Sequence, residues 1–400
     1  WRVQLTIAGD AAPEATPVLR INANSNLQQT RVDLPEPFRK PADVETRFNT
    51  DVEFATGLIR FQSRWDDKYR GRGQLREAAD GYQLAGLDVA FAEDLRAKPI
   101  RGINLYGFIE ELSVDEWAAV FESAGETGVD LLESVELESD RVMAFGHSLT
   151  EAKFEMKRVD RRFLGLVDAS LVKGSFELPL RATIDDPVLL NLDYLLIDEI
   201  EQEPDHGRFQ PADVPPLRLT SKIIRFHDML FSDLSIATQP APDELKVTRF
   251  ELRRDALFLS GEAQWRYTPS DGHLSSMNLT IRGLGLGEAM AGLGFGNSIS
   301  RGTIDFSGGF TWPASLLGFN LENMVGDARL RIEDGVLNNV EPGTGRFVGL
   351  FSLSALPRRL SLDFSDVIIG GMEFDEITGN YHIENGDLIT TSTRMEGPAA

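Results

Sequence analysis

Apolar residues recur at every second position in segment after segment of this sequence, a period that belongs to strands with one greasy and one wetted side. Val3, Leu5 and Ile7 alternate with mostly polar neighbours. So do Val172, Gly174, Phe176, Leu178 and Leu180, then Leu257, Leu259, Ala263, Trp265 and Tyr267, then Met277, Leu279 and Ile281. Ile304, Phe306, Phe310 and Trp312 continue the pattern, followed by Ala328, Leu330 and Ile332 and by Leu360, Leu362 and Phe364. A chain written this way is mainly β.

Short turn signals separate many of these runs: Asp80-Gly81, Glu138-Ser139-Asp140, Asp334-Gly335 and Asn385-Gly386. They imply antiparallel hairpins in succession, without the long helical crossovers that parallel strands require. Three segments read as short amphipathic helices instead. Near 114–124, Ser113 and Glu116 have capping-box spacing, Trp117, Val120 and Phe121 share a face, and Gly125 ends the run. Near 286–294, Leu286, Met290 and Leu293 recur at helical spacing, as do Phe347, Leu350 and Phe351 near 344–354, before Pro357. The acidic and proline-bearing stretch from Ile197 to Pro216 reads as a linker and sets a boundary near residue 210, with β-rich regions over 1–210 and 211–400.

Composition narrows the partners. With 40 Lys and Arg against 63 Asp and Glu, a net charge of −23 argues against nucleic acid, which needs concentrated cations, and disfavours anionic membrane surfaces. The absence of Cys removes disulfides, thiolate metal sites and Cys nucleophiles. No run approaches the ~18 consecutive apolar residues of a membrane span. The sequence opens on Trp1 within a strand-like alternation, so it is expected to be a piece of a longer protein whose export signal or anchor lies upstream.

Catalytic and metal-binding patterns are incomplete. The five histidines, His147, His206, His227, His273 and His382, lack the short spacing of a metal site, so no metal or cofactor is expected. Gly146-His147-Ser148-Leu149-Thr150 approaches a nucleophile elbow but has Thr in place of the second Gly, and reads as plain strand or turn. Gly283-Leu-Gly285-Leu-Gly287 misses the third glycine of a dinucleotide loop and has no Lys-Ser/Thr after it. The acidic run Asp198 to Asp205 lacks the order of a calcium loop and reads as a solvated segment. The expectation is a chain without catalytic residues.

One long segment carries a resemblance. Gly343-Thr-Gly345-Arg346-Phe-Val-Gly349-Leu350-Phe-Ser352-Leu-Ser-Ala355-Leu356-Pro357-Arg358-Arg359-Leu360 closely resembles the AsmA-like C-terminal region of YhdP-type proteins. Leu362-Asp363-Phe364, Tyr381-His-Ile383-Glu384-Asn385-Gly386 and Met395-Glu396-Gly397-Pro398 look like the strands that follow in that family. Upstream, Leu34-Pro35-Glu-Pro37-Phe38 resembles its proline-bearing strand end and Pro211-Ala-Asp213-Val-Pro215-Pro216 its mid-chain junction. The resemblance implies an elongated, curved antiparallel β-sheet forming a groove, with 211–400 as the AsmA-like region. It further implies a bacterial periplasmic protein, anchored in the inner membrane by a segment outside this chain, that takes part in phospholipid transport to the outer membrane.

On that reading the partners are phospholipid acyl chains, the inner membrane and other envelope proteins. The candidate groove-lining residues are Phe176, Leu178, Leu257, Leu259, Trp265, Leu279, Ile304, Phe306, Phe310, Leu330, Leu362 and Phe364. Pattern alone favours a different outcome, since an alternating apolar face is ordinarily filled core. A scaffolding β-module that binds envelope proteins and an envelope hydrolase using Ser148 stand beside the transport reading.

Overall fold

The computed structural model describes residues 1–8, 18–124, 129–144, 147–197, 210–226, 229–285, 299–316, 318–319, 322–338, 372–385 and 387–397. Among them are 21 strands and one α-helix, so the chain is mainly β. Chain contacts divide it into two units, Trp1–Arg181 and Ala182–Ala400. Residue 210 lies just before a short 3-10 turn, Pro211–Asp213, in the second.

The first unit holds β1 (Arg2–Ala8), β2 (Val18–Ser25), β3 (Phe48–Ala55), β4 (Leu58–Trp65), β5 (Tyr69–Ala78), β6 (Gly81–Phe91) and β7 (Gly102–Ser113). After α1 (Val114–Ala124) come β8 (Leu132–Ala144), β9 (His147–Val159), β10 (Arg162–Asp168) and β11 (Val172–Pro179). Each strand pairs with the next in sequence. The second unit holds β12 (Val188–Ile197), β13 (Leu217–Phe226), β14 (Met229–Ala241), β15 (Glu244–Arg254), β16 (Leu257–Thr268) and β17 (Gly272–Gly283). It continues with β18 (Ile299–Trp312), β19 (Val325–Leu337), β20 (Met372–Glu384) and β21 (Asp387–Glu396), again paired in sequence order.

Two sequence expectations are corrected. The pairing is mixed rather than purely antiparallel, because β6 and β7, β7 and β8, and β12 and β13 run parallel. The connection over residues 92–101, the stretch carrying α1, and the acidic stretch before β13 are each long enough to return the chain to the starting end of the preceding strand. Helix α1 is therefore itself a crossover. Two of the turn signals also lie inside strands: Glu138-Ser139-Asp140 within β8 and Asp334-Gly335 within β19. Ser139 is buried and satisfies its hydroxyl on the Arg141 carbonyl at 2.9 Å, so its polarity does not break the strand. Asp334 takes a left-handed φ of 54°, and Gly335 leaves room for the Phe374 ring, where a Cβ would lie closer than 3.0 Å.

The other local readings hold where they are described. Asp80-Gly81 joins β5 to β6, and Ser113 Oγ accepts the Glu116 N–H at 3.3 Å at the start of α1. The helices near 286–294 and 344–354, Gly386 and the run Asp198 to Asp205 lie outside the described residues.

In the first unit the 92–101 crossover lies on the polar face and is tied down there. Arg72 donates twice to Asp88, at 2.9 and 2.6 Å, and once to the Lys98 carbonyl at 2.7 Å. Asn104 donates to the other Asp88 oxygen at 2.9 Å and accepts from Ser134 at 2.7 Å. Asp88 is only 5% exposed, and this shared set of donors offsets its desolvation. Arg96 closes the same loop by stacking 4.1 Å over the buried Tyr106 ring and pairing with Glu136 at 2.5 Å.

Candidate functional site

Strand register decides which apolar side chains share a face. In the first unit one row runs Leu5, Ile21, Val52, Phe61, Gly73, Leu87, Ile103 across seven strands. A second runs Val89, Leu105, Val135, Met156, Gly165, Phe176, and a third Trp65, Tyr69, Phe91, Gly107, Leu137, Phe154, Val167. These rows form one apolar face because strand pairing puts partners on the same side.

The second unit repeats the arrangement. Its rows are Leu252, Leu259, Ile281, Phe306, Leu330, Gly379; Phe250, Gly261, Leu279, Gly308, Ala328, Tyr381; and Leu257, Gly283, Ile304, Ile332, Ile377, Met395. A shorter row, Leu245, Trp265, Ser275, Trp312, closes one edge. The eight sequence-predicted residues Leu257, Leu259, Trp265, Leu279, Ile304, Phe306, Phe310 and Leu330 all belong to this face. Phe176 and Leu178 belong to the first unit, where they pair with Gly165 and Phe163, and Leu362 and Phe364 lie outside the described residues.

Burial along each face is uneven. Leu259, Leu279, Ile281, Phe306 and Leu330 are half-buried, whereas Leu257, Trp265, Phe310 and Trp312 are buried, Trp265 to 2% exposure. In the first unit Phe61, Leu87, Ile103 and Met156 are half-buried, whereas Tyr69, Phe91 and Ile109 are buried. The middle rows are therefore floors of largely half-buried aliphatic and aromatic carbon; one edge is filled in the first unit and both are in the second, where Leu257, Ile332 and Ile377 are buried at the end opposite Trp265.

The filled edges bring in residues from outside the alternating strands. In the first unit the loop between β2 and β3 puts Phe38 over Tyr69 (ring centroids 4.9 Å apart), Phe91 (5.8 Å) and Trp117 of α1 (5.8 Å). The loop is clamped in place: Trp117 Nε1 donates to the Glu36 carbonyl at 2.8 Å, the Tyr69 hydroxyl donates to the Pro37 carbonyl, and Arg39 pairs with Glu116 at 2.5 Å. Buried Lys40 donates to the carbonyls of Thr30 and Pro41, at 2.9 and 3.0 Å. Burial, helped by the charges of Glu36, Asp66 and Glu110, pushes the Tyr69 phenol up to about 12. In the second unit residues around Trp312 play this part: its Nε1 donates to the Ser315 carbonyl at 2.8 Å, Phe319 meets its ring edge-on at 5.4 Å, and Ser275 donates to the Ala314 carbonyl at 2.7 Å. Phe38 was detectable as an aromatic beside two prolines, but nothing in its spacing assigns it to the face.

The residues weighed for chemistry do not converge. Ser148 is an exposed strand residue opposite Met143, with no helix after it. His273 accepts from the Trp265 indole at 3.1 Å, and His382 pairs with Asp327 at 2.9 Å. Among the described residues no three His, Asp or Glu side chains are arranged to hold a metal, and no helix is long and apolar enough to cross a membrane.

No curated protein and no solved structure matches the chain significantly. The family profile described as YhdP protein matches residues 1–400, the whole length, and agrees with the AsmA-like features quoted from the sequence. The chain belongs to the YhdP family.

Proposed function

We propose that the apolar faces shield phospholipid acyl chains, and that the protein takes part without enzymatic chemistry in moving phospholipid between the inner and outer membranes of the bacterial envelope. It works from the periplasm, with its inner-membrane anchor in a segment outside this chain. The observation that carries the reading is the register-aligned floor of half-buried carbon: Leu259, Ile281, Phe306 and Leu330 lie side by side on consecutive strands. Family membership supports an envelope role in lipid handling.

The physics requires such a surface. A phospholipid exposes about thirty methylenes in water, and at roughly 0.8 kcal/mol each its escape from a bilayer costs more than about 20 kcal/mol. A carrier must replace hydrocarbon contact at each point along the path while the headgroup stays wet. Side chains alternating across a strand provide this, with carbon on one face and ion pairs such as Arg282 with Asp305, 3.2 Å apart, on the other.

The test places a photo-crosslinking amino acid at Phe306 on the apolar face or at its exposed neighbour Ser307 on the opposite face. The expected result is acyl-chain adducts from Phe306 and none from Ser307. Equal labelling at both positions, or none at either in gently purified protein, overturns the proposal.

A further inference from the structure

A repeated steric device on both faces has no role so far. Aromatic rings there lean over glycines. The Phe61 ring covers Gly73, its partner across the sheet, so closely that a Cβ at Gly73 would lie within 3.0 Å of three of its ring carbons. Phe176 leans over its partner Gly165, where a Cβ would also meet the Glu155 carbonyl. In the second unit Phe310 leans back along its own strand onto Gly308, and Tyr381 onto Gly379.

The leaning rings also pack against other rings of the same face. Phe306 and Phe310 are four residues apart on one strand, yet their centroids are 6.4 Å apart and their planes differ by only 11°. Phe154 and Phe176 are stacked with centroids 5.1 Å apart and planes 18° apart. Side chains standing upright on two sheets hold the sheets about 10 Å apart, about 5 Å for each layer. A ring leaning over a glycine rises less than an upright one. A glycine beneath a ring therefore lowers the floor at that point while keeping its carbon surface.

We propose that these glycine–ring pairs set the depth of the acyl-binding floor, making it shallow enough for hydrocarbon chains to lie across Phe61 in the first unit and, in the second, across Phe306, which the buried Phe310 ring backs. The inference rests on the acyl-binding reading above. It makes Gly73 and Gly308 positioning residues: neither touches lipid, and each acts through the ring it accommodates. A methyl group at either position forces the ring upright into the space a chain would occupy. Gly261 differs, because a Cβ there would meet the main chain of Asn278 rather than a ring.

The experiment uses the full chain and phosphatidylethanolamine vesicles doped with a phospholipid that carries a photoactivatable acyl chain, with labelling yield and melting temperature read together. Gly73→Ala and Gly308→Ala are expected to lower labelling about tenfold. The double changes Gly73→Ala/Phe61→Leu and Gly308→Ala/Phe310→Leu are expected to restore it, because the ring is gone. Gly261→Ala is expected to lower the melting temperature with no rescue by ring truncation. Absence of labelling in the unaltered chain removes the acyl-binding reading and this inference together. Normal labelling there, with unchanged yield in both glycine variants or no recovery in the double variants, removes the depth role alone. If the glycine variants do not fold, Phe61→Leu and Phe310→Leu alone decide: each must label at least as well as the unaltered chain, and a tenfold loss overturns the inference.

Discussion

The first unit reaches the middle of its sheet by two parallel steps, β6 to β7 and β7 to β8, whereas from β13 onward the second unit only turns back on itself. The apolar faces hardly register this difference. Both show half-buried floors and rings laid over glycines, with one filled edge in the first unit and two in the second. The polar faces differ sharply: a crossover laid across the first is held by buried Asp88 and its half-buried partners Arg72, Asn104 and Ser134, while the described part of the second carries exposed ion pairs. Side-chain alternation depends only on the strand period, so connectivity is free to vary provided that its cost falls on the other side of the sheet.

The comparison can be broken at several points. If the filled edges are equivalent, Phe91→Ala in the first unit and Trp312→Ala in the second should each cost about 4 kcal/mol in denaturant unfolding. A difference above about 2 kcal/mol would show that one edge is core and the other is not. Next in size, Asp88→Ala leaves the half-buried Arg72 guanidinium without its carboxylate and should destabilise the first unit by about 3 kcal/mol, with faster hydrogen exchange over residues 92–101. A loss near zero would mean that the crossover needs no anchor.

Alkaline titration sharpens the contrast between the edges. The Tyr69 phenol is raised from 10.0 to about 12 in the folded chain, so the neutral form is the one that folding favours. Its contribution is complete below pH 10 and is lost as pH rises through about 12. Thermal stability of the first unit should therefore fall across that window, and Tyr69→Phe should flatten the fall. Tyr381 is also raised by burial, but the hydrogen bond with Thr393 opposes the shift, so its phenolate absorbance should appear at lower pH than that of Tyr69. The smallest effect belongs to the exposed pair on the second unit's polar face: Asp305→Ala should cost no more than about 0.5 kcal/mol, and added salt should erase it. A loss comparable to that of Asp88→Ala would remove the distinction between the two polar faces.

The apolar faces were legible in the sequence because alternation is a local property, and register then had only to align what alternation had already sorted. Leu259, Ile281, Phe306 and Leu330 show this: each was readable alone, and pairing joined them. The parallel steps were not legible, because residues 92–101 have no helical period and α1, read as a short amphipathic helix, gives no sign of which strand it returns to. Asp334-Gly335 misled for a related reason. The dipeptide that turns a hairpin also relieves a ring pressing on a strand, and only the partner Phe374 tells the two apart. Phe38 escaped because long-range placement of a loop leaves no periodic trace.

Within each unit, every strand's partners are its neighbours in sequence. Such a sheet can be assembled progressively from either end as the chain emerges, with no early strand waiting for a distant late one. It can also gain or lose a hairpin without any other pairing being rewritten, so its span is an adjustable quantity, and natural variants of different length should differ by whole pairs of strands.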